Sequence, residues 1–457
     1  METQTNSSNN QVNYPKKNFM QRNALSVKII LIGILILLLM IPLSMIQHLI
    51  DERSSTADIA SSEVRQKWSG SQEIAGPILS IPFYEEKNVY QITSEGNKVK
   101  ASKQLNYLHI LPETLEIKGE IETNTLKRGL YEIVVYKTPL ELRGKFILPE
   151  NFNGDIDLQE LLIQNAILSI GITDLRGISE QVEVQWGNSK YEFNPGLPSG
   201  FILSSGVSTP VSLHSLRSGN SVDFSIHLYL KGSESLHLAP LGKTTQVELS
   251  SNCTTPSFTG SFLPEHREVT DSGFKADWKI LNLNRNYPQI FKGNQFYESE
   301  QLSYFGTDLL LPVQQYQQSM RSAKYAYLII ILTFVVSFFV EVLQKKNIHP
   351  FQYLLTGLAL CLFYTLLIAI SEHLGFAWAY LISAILTIVL LTCYMLGILK
   401  IRKTAFTIGG LLIILYSYIY VLIQLETYAL LAGSIGLFVI LAVIMYYSQK
   451  INWNTNE

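Results

Sequence analysis

The stretch IILIGILILLLMIPLSMIQHLI, residues 29–50, contains no Asp, Glu, Lys or Arg. A helix of this kind crosses the roughly 30 Å of bilayer hydrocarbon that about 20 apolar residues span. Lys16, Lys17, Arg22 and Lys28 precede it, as the basic start of a signal peptide would. The apolar core is too long for one and no small-x-small cleavage site follows, which predicts an uncleaved anchor over 27–50. Neighbouring groups in a membrane helix satisfy the carbonyl that a proline frees, so Pro42 is tolerated and predicts a local kink.

Working outward, the same pattern recurs near the C-terminus. Five further apolar runs, 325–342, 353–370, 377–399, 407–424 and 428–447, are joined by short connections. Lys345 with Lys346, then Lys400, Arg402 and Lys403, then Lys450, fall on the side of the basic N-terminus if every run crosses, while turns 371–376 and 425–427 carry no Lys or Arg. Excess Lys and Arg mark the cytoplasmic side. Arg321 and Lys324 lie opposite but border a folded domain and are outvoted. The charge pattern predicts both termini in the cytoplasm and residues 51–324 outside it. Tyr325, Tyr327, Tyr353, Trp378, Tyr380, Tyr428, Tyr446 and Tyr447 sit near span ends, where amphipathic rings prefer the interface.

The predicted organisation is a disordered cytoplasmic tail (1–26), the first span (27–50), a β-rich external domain (51–324) with a leading helix (51–69), a five-helix membrane bundle (325–449) and a short cytoplasmic tail (450–457). Ala60, Val64 and Trp68 share one face of that leading helix. Asp51, Glu52, Arg53, Glu63 and Arg65 form a polar collar, read either as a solvated surface or as a docking contact with the β domain. From Gly76 onward short β-rich runs follow, among them 131–136, 145–148, 182–186, 221–230 and 245–249. Val222, Phe224, Ile226, Leu228 and Leu230 alternate with Asp223, Ser225, His227 and Tyr229, giving one buried and one wet sheet face. The fold class expected is an integral membrane α-helical bundle of six transmembrane helices, one plus five. It carries a large, mostly antiparallel β extracytoplasmic domain, a sandwich or barrel-like unit with two lobes meeting near 194–200.

Charged residues make up 16% of the chain and hydrophobic ones 47%, against roughly 25% charged in soluble domains. A net charge of −2 offers no basic stripe for nucleic acid. Cys361 and Cys393 lie in apolar runs and Cys253 stands alone, so neither a disulfide framework nor a thiolate metal site is expected. No phosphate-binding loop, dinucleotide fingerprint, zinc-protease helix motif or nucleophile elbow occurs. His214, His227, His237 and His266 are not spaced as ligands on one helix, and Ser204 and Ser205 have no assignable base. No cofactor is implied. Ionisable residues at membrane depth are costly unless paired, which makes them the place to look for function. Glu341 lies four residues before Lys345, sufficient for a terminal ion pair. Glu372, His373 and Glu426 lie at the outer ends of neighbouring spans, as solvated turn residues or as a proton or cation site.

After the first span come Leu49-Ile50-Asp51-Glu52-Arg53, Trp68-Ser69-Gly70-Ser71-Gln72 and Gly76-Pro77-Ile78-Leu79-Ser80-Ile81-Pro82. Further blocks are Arg128-Gly129-Leu130-Tyr131-Glu132, Asp174-Leu175-Arg176-Gly177-Ile178, Pro256-Ser257-Phe258-Thr259-Gly260, Leu283 to Gln289, and Ser319 to Tyr325. Together they resemble the CreD family of inner membrane proteins, also called the cell envelope integrity or colicin tolerance family, from Leu49 to about Tyr394. The resemblance implies a bacterial inner membrane protein linked to envelope integrity and stress response, without an established catalytic activity. Arg53, Arg65, Trp68, Arg285, Arg321 and Lys324 flank both points where the β domain meets the membrane, and form a candidate seam.

The reading of the sequence is thus a nonenzymatic envelope protein whose external domain binds a periplasmic or inner membrane protein partner, or lipid. A transporter or channel using Glu372, His373 and Glu426 is the alternative, and an enzyme acting on envelope material the third.

Overall fold

The structure is a computed structural model that describes residues 24–93, 96–148, 161–198, 204–213, 220–293, 302–309, 314–344, 347–425 and 428–449, with backbone alone at 24–25 and 86–102. The chain divides into two compact units, Met1–Thr56 with Val313–Glu457, and Ala57–Pro312.

The first unit is helical. Helix α1, Ala24–Trp68, runs without a break through Pro42, and the unit boundary falls inside it. The others are α2 (Gln314–Lys324), α3 (Ala326–Gln344), α4 (Pro350–Leu374), α5 (Phe376–Leu399), α6 (Arg402–Gln424) and α7 (Ala429–Ser448). Among the described residues, 6 helical stretches are long and apolar enough to cross a membrane. Helix α2 was not foreseen, because its residues, QQYQQSMRSAK, are almost all polar. It folds as a helix because small and aromatic side chains at three- and four-residue spacing, Tyr316, Ser319 and Ala323, are buried in the bundle while Arg321 and Lys324 remain exposed. Pro350 opens α4 at a position where its missing N–H costs nothing, and His349 caps it by accepting from the Phe351 amide. Gly375, at a φ of 75°, makes the turn between α4 and α5. Leu39 of α1 packs on Gly357 of α4, where an added Cβ would lie 2.1 Å from its methyl.

The second unit holds two sheets, of nine and eight strands among the described residues. The nine-stranded sheet runs Ser257–Gly260, Phe305–Asp308, Ser235–Leu238, Gln72–Thr93, Ile167–Ile172, Gly206–Pro210, Asn194–Pro195. Gly96–Ile110 also pairs with Gln72–Thr93, and Ile290–Lys292 with Gly96–Ile110. The eight-stranded sheet runs His266–Thr270, Gly273–Leu281, Thr244–Ser251, Thr114–Arg128, Tyr131–Ile147, Ser221–Ser233, Glu183–Trp186, Ser189–Glu192. Pairing is antiparallel except between Gln72–Thr93 and Ser235–Leu238 and between Thr114–Arg128 and Thr244–Ser251.

Strands are longer than the sequence led us to expect. Residues 131–136 and 145–148 are parts of one 17-residue strand, and Gln72–Thr93 passes through Gly76-Pro77 because the ladder shifts register between Ala75 and Ile78. A proline without an N–H fits at such a bulge. The sheets pack face to face over one continuous core rather than two lobes. Trp278 of one sheet meets Phe305 of the other at 5.6 Å and Phe258 at 5.9 Å. The two differ in patterning: residues 74–83 are buried almost without interruption, whereas Ser221–Ser233 alternates strictly over most of its length.

Gly144 crosses the Thr114 carbonyl so closely that a Cβ would lie 1.9 Å from its oxygen. Backbone must move to admit one, so Gly144→Ala should destabilise the β unit by about 3 kcal/mol, checked by thermal or denaturant unfolding of the full chain.

Candidate functional site

The end of α1 is the most densely bonded place in the β unit. A helix ends with carbonyls that lack intrahelical partners, and here the Arg176 guanidinium donates to the Gln66 carbonyl. Arg176 is held by Asp174, whose Oδ1 accepts from its Nε at 2.9 Å and whose Oδ2 accepts from its Nη2 at 2.7 Å. Asp174 Oδ2 also accepts from the Gly70 amide at 3.1 Å. These bonds, Arg176 first, hold the Asp174 carboxyl well below the usual carboxylate range. Buried Gln72 completes the junction, its Nε2 donating to Ser69 Oγ at 2.8 Å, to the Asp174 carbonyl at 2.9 Å and to the Lys231 carbonyl at 3.2 Å. Gly177 leaves room for it, since a Cβ there would lie 2.3 Å from that same Nε2. The blocks Trp68 to Gln72 and Asp174 to Ile178 are therefore one structural joint.

The candidate seam residues separate into distinct settings. Arg65 pairs with Glu234, and Lys231 lies over the Trp68 ring at 5.5 Å. Of the polar collar, Glu63 and Arg65 take the docking role, Glu63 pairing with Arg128 beside the Gly129 hairpin turn. Asp51 and Glu52 are exposed. Arg285 is buried within the β unit, donating to the carbonyls of Tyr287 (2.9 Å) and Leu241 (3.2 Å) and to Gln289 Oε1 (2.6 Å). Its guanidinium stacks 4.3 Å from the Tyr287 ring, so the block Leu283 to Gln289 builds a loop staple.

In the helical unit, Glu372 is approached by Arg53 Nε at 3.9 Å and by the Tyr316 hydroxyl at 3.2 Å. Its neighbour His373 is exposed, and Glu426 lies outside the described residues. Glu341 is met by Lys28 of α1, by the Ile348 amide at 3.1 Å and by the Tyr353 hydroxyl at 3.0 Å. That partner was not foreseen, because nothing local in sequence joins residues 28 and 341; Lys345, the expected partner, lies outside the described residues.

Among the described residues, hydroxyl–histidine contacts that the sequence does not reveal include Ser80 with His109 and Thr259 with His237. Ser80 Oγ and His109 Nδ1 are 2.8 Å apart, brought together as cross-strand neighbours. Their spacing suits a nucleophile and base, but exposures of 0% and 1% keep both from a substrate, and they read as a buried sheet contact. His237 Nε2 bonds Thr259 Oγ1 at 2.9 Å, His227 and His266 are exposed, and His214 lies outside the described residues. Ser204 is exposed, and the Ser205 carbonyl accepts from the Ile172 amide at 3.1 Å. Among the described residues no group of three or more His, Cys, Asp or Glu could hold a metal.

The outer face of the eight-stranded sheet shows an order visible only in the register. His266, Asp277, Glu248, Lys118, Glu141, His227, Glu183 and Glu192 lie directly opposite one another, one from each strand. This row of eight ionisable side chains holds five carboxylates against one lysine. Beside it a groove of about 330 Å³ is lined by Lys118, Glu120, Glu141, His227, Tyr229 and Glu248, among others. Like charges directly opposite in a sheet oppose folding, and Glu248 with Asp277 and Glu183 with Glu192 are two such pairs. Lys118 at 3.3 Å from Glu248, Lys190 at 2.5 Å from Glu183 and Arg143 paired with Glu141 answer the charge of three of the five carboxylates.

Helices enough for repeated membrane crossing, with a β sandwich placed between the first and the second, define a multi-pass membrane protein carrying a large β unit. The chain belongs to the CreD family: the profile described as Inner membrane protein CreD matches residues 24–454. That range includes the last two helices, which the resemblance read from the sequence did not reach. Inner membrane protein CreD of Escherichia coli (strain K12) is 32% identical over 423 residues, covering 92% of this chain and 91% of that protein. A solved M1 zinc metallopeptidase from Deinococcus radiodurans shares a TM-score of 0.18 at 9% identity over 41% of this chain and 42% of its own, a likeness that carries no argument.

Two outcomes follow. Asp174→Ala leaves the Gly70 amide and Arg176 without their acceptor and should destabilise the β unit by about 2 kcal/mol, read as a lowered unfolding midpoint that Asp174→Glu partly restores. Burial lowers His109 from 6.5 to about 4. A folded state that binds its proton later than the unfolded state loses stability as pH falls from 6.5 toward 4. His109→Gln should flatten that part of the midpoint-versus-pH curve.

Proposed function

We propose that this chain is a noncatalytic inner membrane protein that supports envelope integrity by docking a protein partner on the periplasmic side. Both termini are cytoplasmic in this reading, and residues 51–324 are periplasmic, as the placement of Lys and Arg around the spans supports. The docking surface is the outer face of the eight-stranded sheet. The observation that carries it is the row of ionisable side chains in exact strand register, whose excess of carboxylates fits a partner presenting basic groups and repels anionic lipid phosphate. Its opposed like charges cost stability in the isolated sheet, and a basic partner would relieve them.

The other two functions receive less support. Glu372 is answered by Arg53 and Tyr316, an arrangement that neutralises a carboxylate rather than leaving it for a passing ion. The Ser80 and His109 pair, which has the spacing of a nucleophile and its base, is buried within its sheet.

The test has two arms. In a Cys253→Ser, Cys393→Ser background, His227→Cys should react with a membrane-impermeant maleimide supplied to the periplasm; reaction only after the inner membrane is lysed would sink the orientation. A photoreactive residue at position 229 should capture a partner protein. The double change Glu248→Lys, Asp277→Lys should lose that product and sensitise cells to detergent while the unfolding midpoint is kept. Capture that survives charge reversal would overturn the docking surface.

A further inference from the structure

Tyr364 of α4, Ser383 of α5 and Tyr416 of α6 are exposed by only 1%, 0% and 2%. Each carries a hydroxyl with no protein partner among the described residues. They belong to one cluster. Phe363 lies 4.8 Å from the Tyr364 ring, 4.7 Å from Tyr416 and 5.3 Å from Tyr380, and Ser383 follows Tyr380 by one turn of α5. The Tyr380 ring lies 6.3 Å from that of Tyr416. Tyr380 is satisfied, donating to the Tyr416 carbonyl at 2.9 Å, so the cluster is left with three unanswered hydroxyls drawn from three helices.

Several other buried hydroxyls of the helical unit are answered within their own helix, although Ser319 and Ser322 of α2 also have no partner among the described residues. Thr333 donates to the Ile329 carbonyl at 2.7 Å, Ser337 to Thr333 at 2.8 Å, Thr356 to Gln352 at 2.8 Å and Ser371 to Ile368 at 2.9 Å. Bonding back to the preceding turn is the usual remedy for Ser and Thr inside a helix. Ser383 does not take it, and tyrosine hydroxyls are too far from their own backbone to do so. In surroundings without bulk water an unpaired hydroxyl is expensive, and three on converging helices call for a shared ligand.

We propose that Tyr364, Ser383 and Tyr416 form an internal hydration site, holding one or more water molecules between α4, α5 and α6. Water fits because each hydroxyl both donates and accepts, and a water with two to four polar partners satisfies all three at once.

The experiment uses the full chain in lipid nanodiscs. Water-edited solid-state NMR should show magnetisation passing from water to the Tyr364 and Tyr416 rings faster than to Phe334, a buried ring of α3 without a hydroxyl. No faster transfer overturns the site whatever the variants do. Tyr364→Phe and Tyr416→Phe should each lower the unfolding midpoint by a few degrees, and the double variant by less than their sum, because both hydroxyls serve the same water. Midpoints unchanged or raised in both single variants would show hydroxyls that hold nothing, and would equally overturn the proposal.

Discussion

The bond from Arg176 to the Gln66 carbonyl is the contact on which the β unit's first element depends. A helix C-terminus concentrates partial negative charge on its last carbonyls, and a cation there is favourable. Arg176 supplies that cation from a short turn beside the strand Ile167–Ile172. Its own charge is answered by Asp174, and Asp174 in turn accepts from the Gly70 amide, two residues beyond the helix. The chain thus stops being helix and becomes strand within four residues, with its freed backbone groups taken by Arg176, Asp174 and Ser233, while Gln72 bonds the Ser69 hydroxyl. Removing Asp174 leaves the part-buried Gly70 amide without its side-chain acceptor, a larger loss than that of an average hydrogen bond.

Much of this architecture is written in local pattern. Residues 29–50 and five later apolar runs announce spans because lipid admits only backbones that satisfy themselves, and Ser221–Ser233 announces a half-buried strand by alternation. What local pattern hides depends on distant partners. Helix α2 is polar in composition, and its buried face consists of serines, an alanine and one tyrosine, recognisable only when the bundle they lie against is present. Arg285 groups with the candidate seam by its place in the chain; its partners at Leu241, Tyr287 and Gln289 arrive through the folding of the loop around it. Lys28 and Glu341 are over 300 residues apart, so no window of sequence contains both. The eight-residue row across the outer sheet likewise exists only in strand register. The strands that carry His227, Glu183 and Glu248 were legible, and His227 among the wet positions, but not the register that sets the eight side by side.

The two units solve the problem of buried polar groups by different routes. In the helical unit several buried Ser and Thr hydroxyls, Thr333, Ser337 and Thr356 among them, return to their own backbone, which keeps those turns self-contained. In the β unit the side chains of Gln72, Arg285, Gln289 and Tyr287 reach carbonyls of distant segments, at Lys231, Leu241, Pro112 and Pro240. Those bonds cross between elements and make each loop's position depend on several others. The resemblance blocks are concentrated on such cross-connections, and this explains why Gly, Arg and Trp recur in them without forming a catalytic constellation.

The outer sheet also faces the hazard of its own edges. A strand with one side unpaired is a template for another chain unless charge or geometry discourages it. His266–Thr270, at one edge, is exposed at every position and carries His266, Arg267 and Glu268 in succession. Ser189–Glu192, at the other, is four residues long and carries Lys190 and Glu192. Both edges are therefore charged, and one is short, while the broad face between them is left polar and open. Lateral strand addition is discouraged at either side, which directs any encounter toward the face, where the ionisable row stands across the strands instead of along them.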